Sequence, residues 1–542
     1  MRETVAAVAS WSSGKKLTLN AGKSESTFFS SNPHEAKWRP TINLGNRRLA
    51  YNPSPKFLGV HLDRTLSFQR HVKYVAQKVE SRNRVLASLT NKSFGWRKQH
   101  LTGVHQALQR SVMDYAASAY QPFLSATQLG FLEKAQNKSL RIITGQYSST
   151  PEEALRAETG VPSYATHSRR LTAISYEKAM RLPDDHPRRS AAANPVRHRS
   201  KIRSSWRERA TNIIGPLTIN NGIREPFPSP FIPPRESNHP NPITLDLEKN
   251  CPDAATLEPV LDAHEPDVII YTDGSCTGGT RNGGASAIVT VGPADNPQRI
   301  ETLTQRGSTI TCSYEEEKRA MFLAANWLTS NHPVVTRAAI CTDSLSLLQS
   351  LANDSLDTRI LRNSLEASGV DILLKFTPGH VGIPGNELAD VHAKAATHLP
   401  ANPDNPTTIT FGGAKACIRA EVTDPPIQHQ RTAAVYSAMS LRRDRAALLS
   451  RQDAVLLAQL RSGHCKLLAA YRNRIDDDAP PSCDRCDADC QDVQHWLLDC
   501  PGTAAAKQAL FGDSVVSLET LTTHPSEIVK LAKRTLFSSA SP

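Results

Sequence analysis

The stretch Val268-Ile269-Ile270-Tyr271-Thr272-Asp273-Gly274-Ser275 and its continuation to Val291 decide the fold of this chain. An apolar run too short for a helix ends on an aspartate. Five glycines follow (Gly274, Gly278, Gly279, Gly283, Gly284), and then Ala285, Ala287, Val289 and Val291 alternate with the period of a strand. Working outward, a third strand is expected around Arg299 to Arg306 and a helix over Tyr314 to Leu328. Ala338 to Thr342 reads as a strand ending in Asp343, with a helix through Leu351. Val370, Ile372, Leu374 and Phe376 alternate as a further strand, and a helix starts near Gly385 and passes through Asp390. The order β-β-β-α-β-α-β-α predicts an α/β domain, a mixed sheet with helices on its faces, over 266–400.

Two of these strands end in aspartate. In open α/β sheets, ligands gather outside the carboxyl ends of strands, so Asp273 and Asp343 are expected to face one crevice. The helix between them offers a third carboxylate, and its pattern leaves two choices open. Glu317 shares a stripe with Met321, Ala324 and Leu328, and Glu316 shares one with Ala320, Leu323 and Trp327. Glu315, in line with Arg319 and Asn326, reads as solvated.

Four segments together, Tyr271-Thr272-Asp273-Gly274-Ser275, Ser313-Tyr314-Glu315-Glu316-Glu317, Thr342-Asp343-Ser344 and Pro378-Gly379-His380-Val381-Gly382-Ile383-Pro384-Gly385-Asn386-Glu387-Leu388-Ala389-Asp390, resemble ribonuclease H type 1. They look most like the version carried by non-LTR, LINE-type (Jockey-like) retrotransposon polyproteins. The resemblance implies a mixed five-stranded sheet with flanking helices and catalytic carboxylates at Asp273, Glu317, Asp343 and Asp390. It also implies an auxiliary histidine at His380 and settles the helical choice on Glu317. The expected reaction is endonucleolytic hydrolysis of the RNA strand of RNA–DNA hybrids, within retrotransposon reverse transcription. Four converging carboxylates without a counter-ion would repel one another and raise each other's pKa. They make sense as a cradle for two Mg²⁺ ions, which Mn²⁺ can replace.

The flanks carry further resemblances. Lys16 to Glu25 is similar to a palm segment of non-LTR reverse transcriptases, and Phe57-Leu58-Gly59-Val60-His61-Leu62-Asp63 to their primer-gripping segment. These imply a palm remnant over 1–62. After Asp63 the apolar spacing of Val72, Val75, Ala76 and Val79, then of Val85, Leu86 and Leu89, is helical, and a second helical run covers Leu129 to Ile143. This mainly helical stretch, 63–187, resembles the thumb. No Asp-Asp pair occurs in the palm-like segment, and Asp184-Asp185 reads as a loop, so this chain is not expected to polymerise DNA by itself. From Arg188 the chain is basic and then proline-rich, and 188–265 reads as a linker without a packed core. The remainder, 401–542, reads as a helical tail. It contains Cys483-x2-Cys486-x8-His495-x4-Cys500, a CCHC pattern for a structural Zn²⁺, with Cys490 as a rival ligand. For Cys500 to reach the metal, the helix from His495 must end before it, and Pro501 gives a reason. Similar Cys/His segments end such polyproteins, after a helix resembling Leu460-Arg461-Ser462-Gly463-His464.

Composition agrees with this reading. A formal net charge of +12 over 542 residues suits polyanionic partners: the hybrid, RNA and DNA, alongside other retroelement-encoded chains. No run approaches the ~18 apolar residues of a membrane span. The N-terminus lacks a signal-peptide core, and scattered cysteines suit reduced thiols. An intracellular protein is expected, in nucleus or cytoplasm. The alternative function is a non-catalytic nucleic-acid-binding fragment of a decayed or co-opted element.

Overall fold

The computed structural model describes residues 2–537 except 31, 92–94, 196–203, 221–222, 228–242, 250, 401–407, 429, 437–438 and 440–448. The chain forms two compact units, Arg169–Thr423 and the discontinuous pair Met1–Ser168 with Asp424–Pro542.

The central unit is built on a six-stranded sheet. Its strands are β1 (Ile243–Asp246), β2 (Val268–Thr277), β3 (Arg281–Val291), β4 (Gln298–Arg306), β5 (Arg337–Thr342) and β6 (Asp371–Phe376), in the order β4-β3-β2-β5-β6-β1. The β4/β3 and β3/β2 pairs are antiparallel and the others parallel. Its helices are α1 (Ala254–His264), α2 (Ser313–Asn331), α3 (Leu345–Ala352), α4 (Arg359–Ala367) and α5 (Pro384–Ala396). Strand alternation divides the core. Ile270, Ile340, Ile372 and Leu374 face Met321, Ala324 and Leu328 of α2 with Leu348 of α3 and Leu365 of α4. Ile269, Tyr271, Ala339, Cys341 and Leu373 face Leu257 and Leu261 of α1 and Ala389 of α5. Burying each large apolar side chain contributes roughly 1.5–3 kcal/mol, so both faces are firmly covered.

Five strands and their order agree with expectation, and the differences have physical causes. Helix α4 carries no plain apolar stripe, because its buried face alternates Leu361 and Leu365 with the ion-paired Arg362 and Glu366, while Ile360 is exposed. The sixth strand β1 comes from the stretch read as a linker, which is not one where it is described. Ile243 and Leu245 pair along β6, and the buried Lys375 clasps Asp246 at 2.7 Å. Helix Trp206–Ile214 and α1 also lie in that stretch, each opened by a capping box (Ser205 with Glu208, Asp253 with Thr256). The arginine and proline content hid both. Ala210 and Ile214 pack against Ala173, Cys417 and Ile418, so helix Phe411–Glu421, assigned by sequence to the tail, belongs to this unit. Pro228, Pro230, Pro233, Pro234, Pro240 and Pro242 lie outside the described residues.

In the discontinuous unit, Lys56–Phe57 and Val60–His61 form a hairpin whose turn residues Leu58 and Gly59 both have positive φ, as a tight right-twisted turn requires. Helix Gln69–Ser88 buries Val72, Val75, Val79 and Leu86 against helix Ala126–Thr144, as the spacing predicts; Val85 is exposed. Asp184-Asp185, in the central unit, sits on an exposed turn. Among the described residues no helix is long and apolar enough to cross a membrane.

Candidate active site and metal centre

The parallel register Thr272↔Thr342 sets the next residues, Asp273 and Asp343, side by side where β2 and β5 separate. Helix α2 supplies the third group. It crosses β2 so closely that a Cβ on Gly274 would lie 2.1 Å from the Glu317 backbone nitrogen. Gly274 therefore admits Glu317 to the point where β2 and β5 separate. One carboxylate oxygen each of Asp273, Glu317 and Asp343 lie within 4.8 Å of one another. Glu316 faces away: it accepts from Thr311 Oγ1 at 2.6 Å and pairs with Arg319 at 3.2 Å. Both glutamates are buried, which is why apolar stripes alone could not separate them. Glu315 is not simply solvated, since it pairs with Lys318 at 2.7 Å and accepts from the Gly412 N–H.

Asp390 stands outside the trio. Helix α5 is anchored where Ser286 Oγ donates to the Ala389 carbonyl at 2.7 Å, which sets the next residue near Asp273 and Asp343. Its own carboxylate is paired with Lys394 at 2.6 Å. His380 lies in the loop before α5 at φ +59°, a region uncommon for a residue with a Cβ. It is near enough to Asp343 to oppose the rise in that carboxyl's pKa. The loop passes close: a Cβ on Gly379 would lie 2.5 Å from Asp343 Oδ2. Sequence reading gave no role to Gly274, Gly379, Ser286 or Lys394. The first two were visible as glycines beside motif residues.

Burial, reinforced by Asp343 and Asp390, pushes the Asp273 carboxyl up to about 7. Burial, then Asp273 and Asp343, raises Glu317 well above the ordinary range. Burial also raises Asp343, with His380 opposing. Glu317 Oε2 is buried without a hydrogen-bond partner. Hard oxygen donors, mutual repulsion and an orphaned carboxylate oxygen all fit a divalent cation such as Mg²⁺.

In the discontinuous unit, Cys483, Cys486, His495 and Cys500 converge, their ligand atoms within 4.8 Å of one another, and the exposed Cys490 is outside the group. The Cys483–Cys500 and Cys486–Cys500 sulfurs are 3.8 and 3.9 Å apart, and Cys486 Sγ is 3.3 Å from His495 Nε2. A tetrahedral Zn²⁺ with bonds near 2.3 Å to sulfur sets S···S at roughly 3.8 Å, so the donor set fits zinc. The helical turn His495–Asp499 is widened, and the Cys500 N–H donates to the His495 carbonyl at 2.7 Å. The helix does end before Cys500, and the wide turn brings the two ligands to one side.

Residues 265–398 match the RNase H family model. This segment is an RNase H domain. The chain is also similar to the RNA-directed DNA polymerase from mobile element jockey of Drosophila funebris, 23% identical over 209 residues, 38% of this chain and 22% of that relative. It thus spans under a quarter of the curated relative it matches. Similar solved structures include RNase H1 from the archaeon Halobacterium salinarum, 18% identical with TM-score 0.20, covering 24% of this chain and 96% of that one. Another is LC11-RNase H1 in complex with RNA/DNA hybrid, 14% identical with TM-score 0.21, covering 24% and 99%. The RNase H match and the Jockey relative are consistent with a fragment of a LINE-type retrotransposon polyprotein.

Two expectations follow from this geometry. Gly274→Ala should lower the melting temperature of the RNase H unit by about 5 °C or more, because the methyl meets backbone that cannot swing aside. It should also disable cleavage by displacing Glu317; a variant that melts and cleaves like wild type would refute the close crossing. The second concerns pH. The Asp273 carboxyl ionises near 4 when unfolded and near 7 when folded. Without divalent metal, stability should therefore be greatest below pH 4 with respect to this group and be lost as pH rises through 7. Asp273→Asn should then melt higher than wild type at pH 8 in EDTA, by on the order of 2 kcal/mol, and the gain should vanish near pH 4. Equal melting of the two proteins at pH 8 would contradict a strained carboxylate cluster.

Proposed function

We propose that this chain is a divalent-metal-dependent ribonuclease H that cleaves the RNA strand of RNA–DNA hybrids, as part of retrotransposon reverse transcription. The observation that carries it is the convergence of Asp273, Glu317 and Asp343 inside a segment matching the RNase H family. Asp273, Glu317, Asp343 and Asp390 would hold Mg²⁺, which supplies an activated water and charge neutralisation at the leaving 3′-oxygen. The protein's own part is to bind and orient. The trio sets three carboxylates together whose mutual repulsion a bound cation would relieve, and Glu317 Oε2 is buried without a hydrogen-bond partner. Lys394 steadies Asp390 and offsets part of the charge on Asp273. His380, carried on its strained loop beside Asp343, is placed to take a proton as the product leaves. Absence of 2′-hydroxyls on one strand distinguishes the hybrid from double-stranded RNA.

Outside the nuclease, Lys56, His61, Arg70, Lys73 and Tyr74 line a basic groove beside the hairpin, suited to a nucleic-acid backbone. The CCHC cluster would hold one structural Zn²⁺. Product analysis tests the proposal: a hybrid labelled on both strands should yield RNA fragments with 5′-phosphate and 3′-hydroxyl ends and an intact DNA strand. Tight binding of the hybrid with neither strand cut would favour the non-catalytic alternative.

A further inference from the structure

The tail is more than a metal-binding appendage. Helix Arg451–Ser462 lies on the corner formed by helices Ala126–Thr144 and Glu152–Thr159. The left-handed Gly145 that ends the first of these has no side chain, and a Cβ there would lie 2.6 Å from Val455. Hydrogen bonds run both ways, from Gln459 Nε2 to the Gly145 carbonyl and from Gln146 Nε2 to the Ala458 carbonyl, each 2.9 Å. The Arg451 guanidinium reaches the Ile142 and Ile143 carbonyls, the ends of the helix that would otherwise lack partners. Beyond the corner, Tyr147 stacks on Tyr471, and Ser149 Oγ meets both His464 and Tyr471.

At the centre is Glu158, 1% exposed. It pairs with Lys98 at 3.0 Å and the equally buried Arg461 at 3.3 Å, and accepts from Tyr436 OH at 3.1 Å. Ala154 on the same helix joins Leu457, Leu460, Trp496 and Ile528 in one apolar cluster. A carboxylate between two cations in a dry interior is stable only while all partners stay in place. The partners come from segments about 300 residues apart, separated by the whole RNase H unit.

We propose that the 142–159 corner is a docking surface for residues 449–542 of the same chain, anchored on Glu158, and that this docking holds without the covalent connection. The RNase H unit is then an insertion within one discontinuous folding unit, and that unit is completed only when the C-terminal segment has been made. The docking contacts do not involve the nuclease site, so they stand or fall independently of the proposed activity.

The test uses the full chain with a specific protease site placed within 441–448. After cleavage, the 449–542 fragment should co-elute with the rest in size exclusion even at about 1 M salt, where surface ion pairs are screened. Glu158→Gln leaves Lys98 and Arg461 facing a neutral amide, and should weaken retention of the cut fragment about 100-fold or more. Val455→Glu, at the Gly145 contact, should release it too, which guards against misfolding of the first variant. Separation of the wild-type fragment on cleavage would overturn the docking. Undiminished retention in both variants would overturn the anchor and the contact surface.

Discussion

Asp343→Asn should reduce hybrid cleavage about 1000-fold, equivalent to about 4 kcal/mol of transition-state stabilisation, while the protein stays folded. The Thr272↔Thr342 pairing that positions residue 343 is made by backbone and is untouched. The amide is the same size, so it still fits under Gly379, where a Cβ would already lie 2.5 Å from Oδ2. What is lost is one anionic oxygen donor, and with it the repulsion by which Asp343 raises Asp273 and Glu317. Removing that repulsion should leave the metal-free variant at least as stable as wild type, so lost activity and kept stability would appear together. A variant within about tenfold of wild type would show that Asp343 contributes no essential charge.

The second large effect is expected in the tail. Purified protein should carry about one zinc per chain. Cys486→Ser should lose it and Cys490→Ser should keep it, because Cys490 is exposed and outside the converging four. Structural zinc contributes apparent binding free energies of roughly 10–16 kcal/mol in small domains, so its loss should be felt well beyond the loop. Trp496, next to His495, is buried in the tail core and donates to Thr535 Oγ1 at 2.9 Å. Metal loss should therefore appear as a change in tryptophan fluorescence as well as in metal content. Equal zinc loss from both variants would make Cys490 a ligand; no zinc in the wild type would leave the four as ordinary thiols.

The nuclease fold was legible because its strands are short apolar runs that stop at polar residues. Val268 to Thr272 and Ala338 to Thr342 each announce a strand and the aspartate that follows, but only Asp343 lies at a strand end, since β2 continues through Asp273 to Thr277 in its pairing with β3. The choice between Glu316 and Glu317 was not legible from periodicity. Helix α2 is covered on both sides of that stripe, by Gly283 and Gly307 around Glu316 and by Gly274 at Glu317. Only the close crossing of α2 over β2 at Gly274 tells them apart. Strand β1 is four residues long beside a proline-rich stretch, too short for alternation to register. Helix α1 contains Pro259, which argues against a helix unless its capping box is weighed first. The docking of Arg461 on Glu158 had no local signal, because its two halves meet only in the folded chain.

If Asp273, Glu317 and Asp343 converge to hold divalent metal, cleavage should depend on the metal and be confined to hybrids. Cleavage of one labelled RNA strand tests it most directly, with the strand annealed either to DNA or to complementary RNA, in Mg²⁺ and in EDTA. The hybrid should be cleaved in Mg²⁺ and not in EDTA, and the RNA duplex little or not at all in either. Equal cleavage of both duplexes, or hybrid cleavage that survives EDTA, would contradict it.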